Sequence, residues 1–185
     1  MARPRMTSSG SKSLPAVGFL TVIEHTELGL TGGYLVLNTL GRPLEFHCTA
    51  PVKTSRAQEI LYGPTLKDFL FGEQIGQTLY EKSQLKPLFV CTDVEPAVSV
   101  REVIDAPVAL LHAAAGRASD EPAVGRVAAA SSTFSLGPYR LSVSPRHPGD
   151  QQRITELWQP YADGFDLTEP FERIREAISE ARKAA

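Results

Sequence analysis

Three residues are candidates for metal binding or thiol catalysis: the adjacent His47 and Cys48, and the distant Cys91. A zinc site needs about four ligands that converge tetrahedrally. His47 and Cys48 are adjacent in a strand-like pattern and so point to opposite faces of a strand, which prevents them from sharing one ion. A nucleophilic cysteine needs a base within reach, and the apolar run around Cys91 offers none. We expect no metal and no cofactor, and we interpret both cysteines as buried thiols of a reducing compartment.

The glycine-rich segment 29–33 (GLTGG) is the best candidate for phosphate binding. A P-loop needs a longer spacing, a Lys-Ser/Thr pair and the start of a helix. This segment has none of these features, and a β-hairpin turn accounts for it. The remaining histidines stand alone in the sequence, and we expect each on a surface or in a loop: His25, His112 and His147.

The composition limits the classes of partner. Of the 185 residues, 42% are hydrophobic and 22% are charged, with a net charge of −2. This mixture is typical of one globular domain. Nucleic-acid binding depends on clustered Lys and Arg and is therefore not expected. No run approaches the ~20 apolar residues of a membrane span, so we expect a soluble, cytoplasmic protein with no membrane partner.

The pattern of the first fifty residues predicts an antiparallel three-stranded meander after a disordered tail at residues 1–15. Branched and aromatic residues favour strands at Val17–Ile23 and Tyr34–Leu37. In the third strand, Leu44–Cys48, apolar and polar residues alternate, which indicates one apolar face. Turn residues separate the three strands.

Helical patterns follow the meander. Ser55 and Gln58 match the S-x-x-Q capping box, and Gly63-Pro64 ends the short helix that they begin. The next helix, Thr65–Lys82, is apolar on two opposite sides, so we expect it to be covered on both. Gly72 and Gly76, one turn apart, predict a close approach of another backbone.

A parallel crossover is predicted next, from two strands joined by a helix. The strands are Leu88–Cys91 and Pro107–Leu111. The connecting segment Glu95–Ile104 has apolar residues at helical spacing, although its β-branched residues make a strand the competing interpretation. The expected α/β core covers residues 16–112.

The last third of the chain changes character. Residues 113–133 are rich in Ala, Gly and Ser and predict a flexible linker. We expect residues 134–185 to be a mostly helical extension packed on the core, with one further strand at Tyr139–Val143. Asp150 is expected to cap one helix, and Thr168 or Asp166 the last one. The fold class is α/β, with a mixed sheet built from the meander and the βαβ unit, and helices on both faces.

The order of three antiparallel strands, helices and a βαβ unit resembles that of the ribonuclease H-like fold, over residues 16–111. The resemblance is one of topology alone. Active members of that superfamily hold two divalent metals ~4 Å apart with clustered carboxylates and cleave phosphodiesters. The corresponding acids here are Glu24 after the first strand, Glu59 on the capped helix and Asp93 after the fourth strand. Glu24 departs from the usual Asp, and all three also have ordinary roles, as a turn acid, a solvated helix residue and a helix cap.

Two functions follow as hypotheses. The first is a non-catalytic interaction or regulatory module, a homodimer or the binder of another protein, because two helices carry more apolar surface than a small sheet covers. Its predicted interface consists of Phe71, Ile75, Leu79, Phe171, Ile174 and Ile178. In the alternative packing, these helices are covered within the chain. The second function is a divergent metal-dependent phosphodiesterase or nuclease, so the sequence leaves open whether the protein is an enzyme.

Overall fold

A single mixed sheet of seven strands, in the order β3-β2-β1-β4-β5-β7-β6, organises the chain. The computed structural model describes residues 15–113, 132–162 and 164–184. The strands are β1 Ala16–His25, β2 Gly29–Asn38, β3 Pro43–Cys48, β4 Val90–Thr92, β5 Val108–Leu111, β6 Ser132–Leu136 and β7 Tyr139–Val143. The α/β class with a mixed sheet is confirmed.

The antiparallel meander β1-β2-β3 is confirmed, with Leu20 opposite Tyr34 and Leu35 opposite Phe46. The turn between β2 and β3 is shaped by Asn38, whose Oδ1 accepts hydrogen bonds from the backbone N–H groups of Leu40 and Arg42, each at 3.0 Å. The predicted tail at residues 1–15 lies outside the described residues except for its last member.

The capped helix α1, Arg56–Tyr62, is also confirmed. The backbone N–H of Gln58 donates to Ser55 Oγ at 3.2 Å, and the backbone N–H of Ser55 donates to Gln58 Oε1 at 3.0 Å. These reciprocal bonds satisfy donors that a helix start leaves free. Gly63, at φ 51°, ends the helix in a conformation that favours glycine.

The long helix continues without a break through α2 (Leu66–Asp68), a π-helical segment (Phe69–Gln77) and α3 (Thr78–Lys82). The apolar spacing predicts the helix but carries no signal for the π geometry. A side chain on Gly72 would collide with Ser99 and the backbone of Val100, so the predicted close approach is confirmed.

The crossover is parallel, because β4 pairs in parallel with β1 on one side and with β5 on the other. The connecting helix is a 3₁₀ helix, Glu95–Glu102. Pro96 starts it, and β-branched residues lower the stability of a regular α-helix at this position. Its buried residues, Ala97 and Val100, face the sheet. The predicted order of three antiparallel strands, helices and a parallel crossover is thus present through β5.

The C-terminal region contains the predicted strand at Tyr139–Val143 and two α-helices, and it adds one strand, β6, that the sequence analysis does not predict. It begins with the hairpin β6–β7, and β7 pairs antiparallel with β5, so the hairpin extends the sheet. Two residues of the predicted linker belong to β6, and residues 114–131 lie outside the described part. Residues 132–143 alternate on both sides of Gly137, which adopts φ 59°. That alternation was the signal for the missed strand.

Two further α-helices complete the chain, α4 at Gly149–Trp158 and α5 at Glu169–Lys183. Asp150 does not cap α4: its carboxylate is buried and accepts from Arg101 Nε at 2.7 Å. Asp166 holds the start of α5, because its Oδ1 accepts from the backbone N–H groups of Thr168 at 2.7 Å and of Glu169, the first helical residue, at 3.4 Å. Thr168 itself makes no side-chain cap.

The helices cover the two faces of the sheet separately. The long helix and the 3₁₀ helix cover the face that we call the long-helix face, whose core includes Leu20 and Val36. The other face, which we call the C-terminal face, is covered by α4 and α5 and includes Phe19 and Trp158. Within the described residues, no helix is long and apolar enough to cross a membrane.

The helices on the two faces of the sheet pack against adjacent glycines of β2. A side chain on Gly32 would collide with Ile75 of the long helix. A side chain on Gly33 would collide with Ile174 of α5. Both helices therefore rest on bare backbone at the same point of the sheet, from opposite sides.

Candidate interaction surface

The six side chains predicted to form an interface lie in the core of the chain, at most 2% exposed. The first three belong to the long-helix face and the last three to the C-terminal face: Phe71, Ile75, Leu79, Phe171, Ile174 and Ile178. These side chains are therefore covered within the chain, as in the alternative packing, because the long helix and α5 pack on opposite faces of the sheet. A contact surface has to be built from other residues.

The three acids of the metal-site hypothesis each face a different cation. Lys67 Nζ lies 3.3 Å from Glu24 Oε1, and Arg56 Nη1 lies 2.9 Å from Glu59 Oε2. Among the described residues, no group of three or more His, Cys, Asp or Glu side chains could hold a metal ion. The structure therefore does not bring these acids together as a two-metal site requires.

The third acid, Asp93, pairs with Arg175 of α5. The same guanidinium lies 3.5 Å from the hydroxyl of Thr21 on β1. Asp93 does not cap the 3₁₀ helix, which begins without a side-chain cap. The middle of β1 and the carboxyl end of β4 are thus tied to α5 by an arginine.

The cysteines differ from each other. Cys91 is buried, as expected, and burial raises the pKa of its thiol, with a further contribution from Asp93. Cys48 is exposed, contrary to the expectation of a core thiol. The physical reason is its position on an outer strand, whose apolar face is only partly covered. His47 points the other way, with Nε2 3.0 Å from Glu45 Oε2.

The other histidines have separate surroundings. His25 contacts Arg182, and His147 Nε2 lies 3.3 Å from Glu102 Oε1. His112 follows β5, and its Nε2 lies 2.9 Å from the hydroxyl of Ser142. All three residues are partly exposed, and His112 and His147 lie in loops, which agrees with the expectation of surface or loop positions.

Edge strand β3 carries the exposed apolar surface of the sheet. Leu44 is 43% exposed and Phe46 is 38% exposed, and Leu40 projects from the preceding turn. Phe46 lies opposite Leu35 and Cys48 lies opposite Gly33, so both share the C-terminal face. Leu44 falls at the irregularity next to Leu37, another core residue of that face, and has no direct partner on β2. Helix α5 packs on β1 and β2. We call Leu40, Leu44, Phe46 and Cys48 the edge patch.

The opposite side of β3 is occupied. Glu45 accepts hydrogen bonds from the backbone N–H groups of Gln84 and Leu85, both at 3.1 Å, and so fixes the loop after α3 against the strand. Burial acts to raise the pKa of Glu45, but the hydrogen bonds from His47, Ser83 and Gln84 outweigh it and lower the pKa. The strand is therefore anchored on one face and open on the other.

A second exposed apolar group lies on α1. None of the residues of α1 is buried, and Leu61 is 82% exposed beside Ile60. Tyr62 is partly covered because its ring stacks on Phe69, with ring centroids 4.3 Å apart. This helix provides a natural comparison for the edge patch, because it is similarly apolar but lies outside the sheet.

The alternation of Leu44, Phe46 and Cys48 is visible in the sequence and predicts the apolar face of a strand. Their partial exposure is not visible there, because it depends on β3 being the last strand and on α5 stopping over β2. No protein-family model matches the chain, and no curated protein sequence matches it. The function proposed below therefore rests on the residues themselves.

Proposed function

We propose that this protein is a non-catalytic interaction module that associates with itself through the edge patch. The observation that carries the proposal is the partly exposed apolar face of β3, on a strand whose outer edge has no neighbour among the described strands. Edge strands expose unpaired backbone donors and acceptors, which pair readily with another strand. Apolar side chains on the same edge add a hydrophobic contribution to that pairing.

The edge patch is a more specific candidate than the core helices. An interface needs apolar residues that are exposed in the free chain, and the edge patch has them, whereas Phe71 and Ile174 are already covered. The order of the backbone also favours β3 as the contact. The backbone around Phe46 is fixed by its pairing with β2 and by the hydrogen bonds of Glu45. A fixed surface loses less conformational entropy on association than a mobile one.

The first experiment measures molar mass by light scattering over a wide range of protein concentration. We expect the unmodified chain to change from monomer towards dimer as the concentration rises. Phe46→Glu puts a charge at the centre of the edge patch and should keep the chain monomeric. The matched control is Leu61→Glu on α1, which adds the same charge to an exposed apolar site and should leave the dimer intact.

Circular dichroism of each variant shows whether the fold is retained. A strict monomer for the unmodified chain at high concentration would rule out self-association. A dimer that Leu61→Glu dissociates and Phe46→Glu does not would move the contact from β3 to α1.

A further inference from the structure

We infer a specific geometry for this contact, which rests on the proposed function: β3 pairs antiparallel with the β3 of a second copy, and Phe46 lies opposite the partner's Phe46. The two sheets then form one continuous sheet around a twofold axis. Closed twofold contacts, in which the same patch serves both subunits, are the commonest arrangement of soluble homo-oligomers.

The direction of the side chains restricts the pairing. Residues directly opposite each other in an antiparallel pair point to the same face of the sheet. The edge patch lies on the C-terminal face, so both patches meet only if the two C-terminal faces are continuous. A register shifted by one residue would place Glu45 opposite the partner's Phe46 and turn the two apolar patches to opposite faces.

Charge selects among the registers that remain. With Phe46 opposite the partner's Phe46, Glu45 lies opposite the partner's His47, and His47 opposite the partner's Glu45. Within each chain His47 Nε2 already lies 3.0 Å from Glu45 Oε2, and in this register each glutamate also has a histidine of the partner directly opposite it. Shifting by two residues in one direction places two glutamates opposite each other, and shifting in the other direction places two histidines opposite each other. Like charges directly opposite are unfavourable, so the sequence of β3 is self-complementary in one register.

The apolar side chains fit the same register. Leu44 lies opposite the partner's Cys48, and Cys48 opposite the partner's Leu44, on both sides of a central pair of phenylalanines. Aromatic cross-strand pairs are among the favourable contacts of antiparallel sheets. Every member of the patch that lies on β3 therefore meets an apolar partner.

The ends of β3 limit the contact to this short stretch. Pro43 has no backbone N–H, and the pairing of β2 with β3 is irregular between Val36 and Leu37. Pro51 lies shortly after the strand ends. Edge strands that carry proline and irregular pairing resist extended pairing. A closed dimer is thus favoured over an open chain of subunits, because one short edge is used once by each copy.

Disulfide trapping tests the register. Leu44→Cys places a thiol opposite the native Cys48 of the partner, and cross-strand Cα separations in either kind of antiparallel pair fall within the range that a disulfide spans. With oxidised glutathione as electron acceptor, the two thiols lose two electrons and two protons and form a link between residues 44 and 48 of different chains. We expect covalent dimers to form at least tenfold faster than in Leu40→Cys, whose thiol would lie in the turn.

Two control variants test whether the disulfide joins the expected positions. Leu44→Cys combined with Cys48→Ser removes the partner thiol and should abolish the trapped dimer. Phe46→Cys combined with Cys48→Ser should form a single central disulfide, because position 46 faces itself. It is oxidised at a protein concentration at least tenfold higher, to offset the loss of the phenylalanine ring, and provides a second test if the first variant folds poorly. Peptide mass spectrometry after oxidation identifies the linked positions.

The outcomes separate the two proposals. A dimer by light scattering without the 44–48 link overturns this register and leaves self-association standing. Rapid linkage of Cys48 to the partner's Cys48 in the unmodified chain also overturns the register. A strict monomer overturns both proposals.

Discussion

The two edges of the sheet present the same pattern but are covered differently. Edge strand β6 places Phe134 and Leu136 on the C-terminal face, and edge strand β3 places Leu44 and Phe46 there. Helix α4 packs on β6, and both of its apolar side chains are buried. The apolar side chains of β3 lie beyond the reach of α5 and remain exposed. The exposed side chains of β6, Thr133 and Ser135, are polar.

This difference shows that helix position, more than strand composition, decides whether the apolar face of an edge strand is covered. The sequences 132–136 (STFSL) and 44–48 (LEFHC) alternate in the same way. The apolar residues of segment 132–136 belong to the core because α4 lies over them. Those of segment 44–48 belong to the surface because the last helix is placed over β1 and β2. The following predictions test that contrast, from the largest expected effect to the smallest.

Removing the buried tryptophan of α4, the helix that covers edge strand β6, should have the largest effect on stability. Trp158 of α4 is buried, and its ring centroid lies 5.6 Å from that of Phe89 and 5.1 Å from that of Phe165. We expect Trp158→Ala to lower the free energy of unfolding by about 3–5 kcal/mol, because it leaves a large cavity. Urea denaturation measures the change. A loss below about 1 kcal/mol would contradict the assignment of α4 as the essential cover of this side.

Breaking the buried ion pair that holds α4 should have the next largest effect. Arg101 Nε lies 2.7 Å from Asp150 Oδ2, and the two side chains are 15% and 6% exposed. We expect Arg101→Met to cost about 2–3 kcal/mol, because it leaves a buried carboxylate without its cation. Urea denaturation of this variant is compared with that of Arg101→Met combined with Asp150→Leu. The double variant should recover much of the loss, and equal losses in both would argue against an uncompensated charge as the cause.

The start of α5 should contribute less, and its contribution should depend on pH. Hydrogen bonds, first of all from the hydroxyl of Thr168, lower the pKa of Asp166, although burial acts in the opposite direction. We expect Asp166→Ala to cost about 1 kcal/mol at neutral pH, as the loss of a helix cap does. A lowered pKa in the folded state means that the charge stabilises the fold above the unfolded pKa of about 4 and ceases to do so as the pH falls through the folded value.

Thermal unfolding at a series of pH values checks this dependence, and the difference between the two proteins should narrow in acid. Asp166→Asn is the control, since its amide oxygen keeps an acceptor but has no charge to titrate. A difference that stays constant from neutral pH to strongly acidic pH would contradict a role for the charge.

Changing the open edge should have the smallest effect on stability and the largest on association. We expect Phe46→Thr to alter the free energy of unfolding of the monomer by about 0.5 kcal/mol or less, as most surface substitutions do. Sedimentation equilibrium should show self-association weakened at least tenfold. Thr133→Ala on β6 is the matched control and should change neither quantity. Equal weakening by both substitutions would remove the distinction between the two edges.

The elements fixed by local patterns were predictable from the sequence. The meander follows from alternation and turn residues, α1 from Ser55 and Gln58, and the parallel crossover from two apolar strands with a short connection. The π-helical segment and the 3₁₀ geometry were not predicted, because apolar spacing is similar in all helical forms. Strand β6 was not predicted, because its first two residues fall within the Ala- and Ser-rich segment that was interpreted as a linker.

The candidate surface was predicted less well, for a physical reason. The amphipathic stripes of the long helix and of α5 were recognised, but a stripe does not reveal whether it meets the sheet of its own chain or another molecule. Conversely, the apolar face of β3 was recognised as a core face. Exposure of Phe46 and Cys48 depends on strand order, which arises from contacts between residues distant in sequence.

The paired glycines of β2 have a consequence for mechanical coupling within the molecule. At Gly32 and Gly33 only the peptide backbone separates the long helix from α5. A displacement of one helix at this point meets no side chain of β2 and acts directly on the backbone of the strand that supports the other helix. Because β2 is also the neighbour of β3, strain produced by joining two subunits would reach both helical layers through a single strand.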